Sequence, residues 1–174
     1  MTQHTIDVFN GDADGLCALV QLRRDTPKES ILVTGVKRDI ALLKNIAEGK
    51  ETQITVLDIS FEKNAQDVER LLAQGANISY FDHHKTGELI QHENLQTHID
   101  LSADTCTSLI VNEQLQGKYL AWAITAAFGD NLTAKARSLG LDAGYKELEI
   151  ELLKQLGTFL NYNGYGASLD DLFF

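Results

Sequence analysis

Five short runs of β-branched and other apolar residues, at positions 5–9, 31–36, 53–57, 78–81 and 97–101, each stop at a polar or glycine-containing break. Short apolar runs bounded by turn residues predict strands. Between them the apolar spacing changes to three and four, which predicts helices. Residues 16–24 place Leu16, Leu19, Val20 and Arg23 around successive turns, and Thr26-Pro27 ends that helix. Asp39 can cap a second helix carrying Ile40, Leu42, Leu43 and Ile46 and ending at Gly49. Residues 64–74 are amphipathic through Ala65, Val68, Leu71 and Leu72, and Gly75 stops them. Residues 85–96 are looser. From Asp104 onward the spacing is helical, over 105–115, 118–128, 131–138 and 145–160. Strands alternating with helices imply right-handed crossovers. The predicted fold is α/β, a mostly parallel open sheet of about five strands with helices on both faces and extra helices at the carboxyl-terminal end. No repeat or Pro/Ser-rich linker divides the chain, so 1–174 reads as one domain.

Charge and cysteines narrow the partners. The 25 acidic and 15 basic residues give a net charge of −10, which repels nucleic acid unless bases cluster locally or metal ions neutralise the acids where substrate binds. Part of the acidity is then a metal site without its ions. Cys17 and Cys106 lie in apolar helical stretches and read as reduced, buried small residues. No Cys/His spacing suggests structural zinc. The first residues do not resemble a signal peptide, and no apolar run approaches ~18 residues, so a cytoplasmic location without membrane association is expected. The chain ends on Leu172-Phe173-Phe174. Either this tail folds back onto the domain, or the native protein continues beyond it.

The chemistry concentrates where strands stop. Tyr80-Phe81-Asp82-His83-His84 delivers one acid and two imidazoles to the carboxyl end of a strand, the edge of an open parallel sheet where ligands bind. Asp12 and Asp14 sit in the first strand-to-helix turn between Gly11 and Gly15. One aspartate suffices as a helix cap, which leaves the second unexplained. A calcium loop is excluded because Leu-Cys-Ala-Leu-Val follows where further ligands are needed. Asp58 ends the third strand, and Asp130 follows a small-residue helix whose Gly129 reads as the glycine just past its end. Carboxylates converging on one edge repel one another unless cations intervene. His83 and His84 are adjacent and cannot both face one metal from a regular strand, so one ligates and the other faces substrate. Lys37 and Arg38 follow the second strand and can offer charge to phosphate, or form a solvated turn. Thr105, Thr107 and Ser108 open a helix, as caps or as a phosphate contact.

In order and interval, Asp12, Asp14, Asp58, Asp82-His83-His84 and Asp130 resemble the signature of the DHH phosphoesterase superfamily, over about residues 5–131. That superfamily includes single-strand exonucleases, pyrophosphatases, exopolyphosphatases and nano-RNases. The resemblance implies two Mn²⁺ or Mg²⁺ ions: Asp12 and Asp130 on the first, Asp14 and His83 on the second, Asp58 bridging. It gives His84 a phosphate or proton-transfer role and makes Asp82 the partner that orients a histidine. Asn10, Lys37, Arg38 and Ser108 are the candidate substrate contacts. Two departures stand out. The family carries histidine four residues before its first Asp-x-Asp acid, and here that residue is Val8, leaving Asn10 or water to stand in. The family's glycine-rich, His-containing substrate loop is also missing, so the chain resembles the metal-binding domain of a longer two-domain protein, with low turnover alone.

Two functions follow. One is a Mn/Mg-dependent phosphoesterase acting by a two-metal mechanism on a phosphodiester or phosphoanhydride, in a short oligonucleotide, nucleotide phosphate, cyclic dinucleotide or polyphosphate. The other is a catalytically weak metal- or nucleotide-binding regulatory module. A phosphotransfer receiver domain lacks the required late lysine at a strand end. The partners expected are a phosphorylated small molecule or short single-stranded nucleic acid. The sequence is compatible with a homodimer and does not fix the oligomeric state.

Overall fold

The computed structural model describes residues 4–165, so the terminal Leu172-Phe173-Phe174 lies outside the described residues. The five apolar runs are strands β1 (His4–Asn10), β2 (Ile31–Gly35), β3 (Thr52–Leu57), β4 (Asn77–Asp82) and β5 (Leu95–Ile99). They form one sheet in the order β2-β1-β3-β4-β5, with every neighbouring pair parallel. The polar strand ends therefore share one edge.

Among the described residues there are six α-helices: α1 (Ala13–Asp25) and α2 (Phe61–Ala73) between strands, then α3 (Thr107–Gln114), α4 (Leu120–Gly129), α5 (Thr133–Asp142) and α6 (Glu147–Asn163) after β5. Helix α2 buries Val68, Leu71 and Leu72 on one face of the sheet, against Ile6, Val8, Ile54, Val56, Ile78 and Tyr80. On the other face, α1 and α3 enclose Phe9, Leu57 and Phe81 with Ala18, Leu19 and Val111. Outside them, α4 to α6 form a second helical core with Cys17, Cys106, Ile124, Phe128 and Ile150. Each fully buried aliphatic or aromatic side chain contributes about 1.5–3 kcal/mol. No described helix is long and apolar enough to cross a membrane.

Three local expectations are corrected. Residues 39–49 form only a 3-10 turn, Leu43–Asn45. Leu42, Leu43 and Ile46 of the apolar set that suggested a helix are buried and Ile40 is exposed, but backbone groups of this segment are satisfied by α2 instead. Asn64 Oδ1 accepts from the Leu43 amide at 3.2 Å, Asn64 Nδ2 donates to the Ile40 carbonyl at 2.7 Å, and Arg70 donates to the Leu43 carbonyl. Helix α1 starts at Ala13 rather than residue 16, so Asp14 lies inside its first turn. Gly129 is the last residue of α4, not the residue beyond it. The left-handed position belongs to Asn131, at φ 63°. Asn131 N donates to Phe128 O and Leu132 N to Ala127 O, the paired bonds of a Schellman turn with asparagine as its turning residue.

Candidate metal centre

The first strand-to-helix turn is built around Asp12. Its Oδ1 accepts from the amides of Asp14 (3.0 Å) and Gly15 (3.3 Å), capping α1. Gly15 is required because a Cβ there would lie 2.2 Å from the Asn10 carbonyl oxygen. Asp14 caps a different helix. Its two carboxylate oxygens accept from the Thr107 and Ser108 amides, each at 2.7 Å, at the start of α3. Ser108 Oγ also donates to the Asp14 carbonyl. One acid thus caps its own helix and the other ties α1 to α3.

Asp58 follows β3 with φ 58°, a left-handed conformation unusual for a side-chain-bearing residue, and such strain clusters at functional sites. Asp82, at the end of β4, is fully buried. Its Oδ2 accepts from the Phe61 amide, and its Oδ1 accepts from the His83 amide and lies 2.7 Å from His84 Nδ1. Asp82 therefore orients His84 by its side chain and touches only the backbone of His83. His83 turns its Nε2 into the cluster, 3.4 Å from Asp58 Oδ1, 3.8 Å from Asp14 Oδ2 and 3.8 Å from Asp130 Oδ2.

Two overlapping groups could hold a cation: Asp58, His83 and His84, and Asp14, His83 and Asp130, with the ligand atoms of each within 4.8 Å of one another. His83 belongs to both. Carboxylate and imidazole are suitable donors for a divalent first-row ion such as Mn²⁺. Asp12 belongs to neither group. Its Oδ2 is 2.8 Å from Lys37 Nζ, which is also 3.9 Å from Asp130 Oδ1 and donates to Asn161 Oδ1 at 3.1 Å.

The electrostatics are those of crowded acid. Asp12, Asp14, Asp58 and Asp82 are all buried. Burial, then the charges of Asp14, Asp12, Asp82 and Asp130, push the Asp58 carboxyl well above the ordinary range. Burial and Asp14 raise Asp130 to about 6, against the pull of His83 and Lys37. The hydrogen bond from Asp82 raises His84 despite burial, helped by the charges of Asp82, Asp14 and Asp130. For Lys37, burial works against the ammonium, but Asp12 outweighs it and the pKa lies above the ordinary lysine value. Burial and Asp14 raise the thiols of Cys17 and Cys106, and both cysteines are free. Neither offers a thiolate near neutral pH.

A cleft of about 390 Å³ opens over the edge, lined by Asn10, Asp12, Lys37, Asp58, His83, His84 and Asp130 together with Ile40, Ser60, Glu62, Lys63 and Lys85. Of the candidate substrate contacts, Lys37 and Asn10 line it. Asn10 Oδ1 also accepts from the Asp12 amide. Arg38 is exposed and outside the lining, and Ser108 is buried against Asp14. Val8 is buried among aliphatic side chains. The sequence reading missed Lys63, Lys85 and Asn161. The first two flank strand-end acids and were findable as neighbours of Asp58 and Asp82. Asn161 reaches the site from α6, 124 residues from Lys37, and left no local signal.

No protein-family profile matches the chain, and no curated protein does. Among solved structures it is similar to RecJ from Thermus thermophilus, a crystal structure in complex with Mn²⁺. The TM-score is 0.48 at 16% identity, covering 94% of this chain and 34% of that one. It is also similar to an uncharacterized protein from Helicobacter pylori G27, with TM-score 0.49 and 14% identity over 93% and 61% of the two chains. The chain thus spans about a third of the first protein and less than two thirds of the second. At these scores neither likeness bears on the chemistry of the site.

Proposed function

We propose that this chain is a divalent-cation-dependent phosphoesterase domain, cleaving a phosphodiester or phosphoanhydride bond in a phosphorylated small molecule or short single-stranded nucleic acid. One observation carries the reading: Asp14, Asp58, His83, His84 and Asp130, far apart along the chain, converge as two overlapping ligand groups. A surface of net charge −10 has no electrostatic reason to gather more buried acid unless a cation is to be held there. The series of strand-end acids and histidines that resembles the DHH superfamily supports the same reading.

Asp14, Asp58, His83 and Asp130 would hold the ion, with Mn²⁺ better suited than Mg²⁺ to a set containing imidazole. When bound, such an ion neutralises phosphoryl charge and makes its water a nucleophile near neutral pH. With an ionised Asp82 accepting from it, His84 Nδ1 would carry the proton, which leaves Nε2 as the nitrogen available to a phosphate oxygen or a leaving group. Lys63 and Lys85 line the cleft and offer positive charge to the rest of the substrate.

A second reading is a regulatory module that binds a nucleotide without turning it over. The core position of Val8 and the pairing of Asp12 with Lys37 favour it. Mn²⁺-dependent hydrolysis of an activated phosphodiester, compared between wild type, Asp58→Ala and His83→Ala, separates the two. Slow turnover is expected. Both variants should lose at least the roughly 10–100-fold that removal of an outer-sphere partner costs a metal site. Equal rates in all three proteins would end the hydrolase reading. Calorimetric nucleotide binding without turnover would favour the module.

A further inference from the structure

Two acids at this edge already have a cation. Lys37 enters from the turn after β2, and its backbone amide donates to the Gly164 carbonyl at 2.8 Å, so the residue is fixed at its root. Its ammonium reaches Asp12 Oδ2 at 2.8 Å, Asn161 Oδ1 at 3.1 Å and Asp130 Oδ1 at 3.9 Å. The Tyr165 ring lies 5.6 Å from the same Nζ. Asp12 is then fully committed: Oδ1 to two α1 amides, Oδ2 to the ammonium. A divalent ion on Asp12 would have to displace Lys37 or share an oxygen with it against like-charge repulsion. Val8, four residues before Asp12, is buried in an apolar cluster and offers no donor. The cluster around His83 differs, since the Asp58, His83 and Asp130 oxygens and nitrogen that face one another have no ammonium among them at hydrogen-bond distance.

We infer that the Lys37 ammonium takes the place of a cation between Asp12 and Asp130, so that the chain binds one divalent ion per molecule, in the cluster of Asp14, Asp58, His83 and the Oδ2 side of Asp130, instead of the two that its series of acids suggests. The inference rests on the cation reading above and specifies it. A lysine in that position supplies one positive charge permanently, independent of metal supply, and lines the cleft where a substrate phosphate would lie between it and the ion. Asp12 becomes a positioning residue for Lys37, not a ligand.

Mn²⁺ binding to the whole chain, counted by electron paramagnetic resonance of free against bound ion, tests this without any assay of activity. Wild type should bind one equivalent and Asp58→Asn none. Asp12→Asn should still bind one, with an affinity within a few-fold of wild type. Lys37→Met, which keeps the length and removes the charge, should rise from one equivalent to two at high Mn²⁺. Two equivalents in wild type, loss of the ion in Asp12→Asn, or Lys37→Met remaining at one would each overturn the lysine inference while leaving the cation reading intact. No binding in wild type would overturn both. The Asp12→Asn measurement keeps the test decisive if Lys37→Met does not fold.

Discussion

Asp82 and His84 show how a buried acid is stabilised without a metal. The carboxylate is fully buried, and three hydrogen bonds, two from backbone amides and one from the His84 ring, satisfy it. That ring bond is the largest cause of the raised His84 pKa. Asp82→Asn should therefore lower the His84 titration midpoint in metal-free protein, read from its ring proton resonances by NMR. An unchanged midpoint would mean that the proton is held by something other than Asp82. Asp14 and Asp58 should respond oppositely to removal. Asp14→Ala strands the buried Thr107 and Ser108 amides and should destabilise the protein by about 1–3 kcal/mol for each amide left unpaired. Asp58→Asn keeps a residue type that tolerates the left-handed backbone and removes a charge crowded by four others, so metal-free protein should melt higher than wild type. Thermal denaturation with a chelator present measures both, and a lower melting temperature for Asp58→Asn would contradict the crowding argument.

The junction between α4 and α1 sets the position of Asp130. Gly129 brings the helices together, since a Cβ there would fall 2.4 Å from Ala13 Cβ and 2.8 Å from the Gly157 carbonyl. Gly129→Ala should cost about 1–3 kcal/mol, the usual range for overpacking a tight contact, and weaken Mn²⁺ binding as Asp130 moves. Denaturant unfolding and a Mn²⁺ titration check the two effects, and wild-type values for both would show that the junction can relax freely. This contact was not legible in the sequence, where Gly129 read as a chain-reversing residue. Glycine marks both uses, and only the identity of the facing atoms separates them. The strand ends were legible because period and punctuation are local: 53–57 and 78–81 fall inside β3 and β4. Residues 39–49 had helical spacing without a helix because Asn64 and Arg70 of α2 supply their hydrogen-bond partners, and no local pattern encodes a donor that distant. The aspartates and histidines were findable for the same reason the strands were, since each lies at or next to the end of a strand or helix. The Lys37–Asn161 contact was not, because it depends on where the last helix lands.

The parallel order of the sheet brings these carboxylates to one edge, and the fold must tolerate them before any ion arrives. Two helix amino termini, those of α1 and α3, donate backbone amides to Asp12 and Asp14, and Lys37 pairs with Asp12. Burial raises Asp58 and Asp130, the latter despite the pull of His83 and Lys37. A carboxyl whose pKa is higher folded than unfolded binds its proton more tightly in the native state. The stability it contributes is fully present below the ordinary carboxylate range and is lost as pH rises through the folded value, about 6 for Asp130. His84, also raised, acts in the same direction, losing its contribution as pH rises through its folded pKa. In a chelator the protein should therefore melt at a lower temperature at about pH 7.5 than at about pH 5, the sign expected when the native state holds the extra protons. Mn²⁺ should reverse the trend, because an ion competes with those protons and binds best once they have left. The gap between melting curves with and without Mn²⁺ should widen steadily over that interval. A gap independent of pH would mean that the ion binds elsewhere than on Asp58 and Asp130, and the convergence of strand ends would then need another explanation.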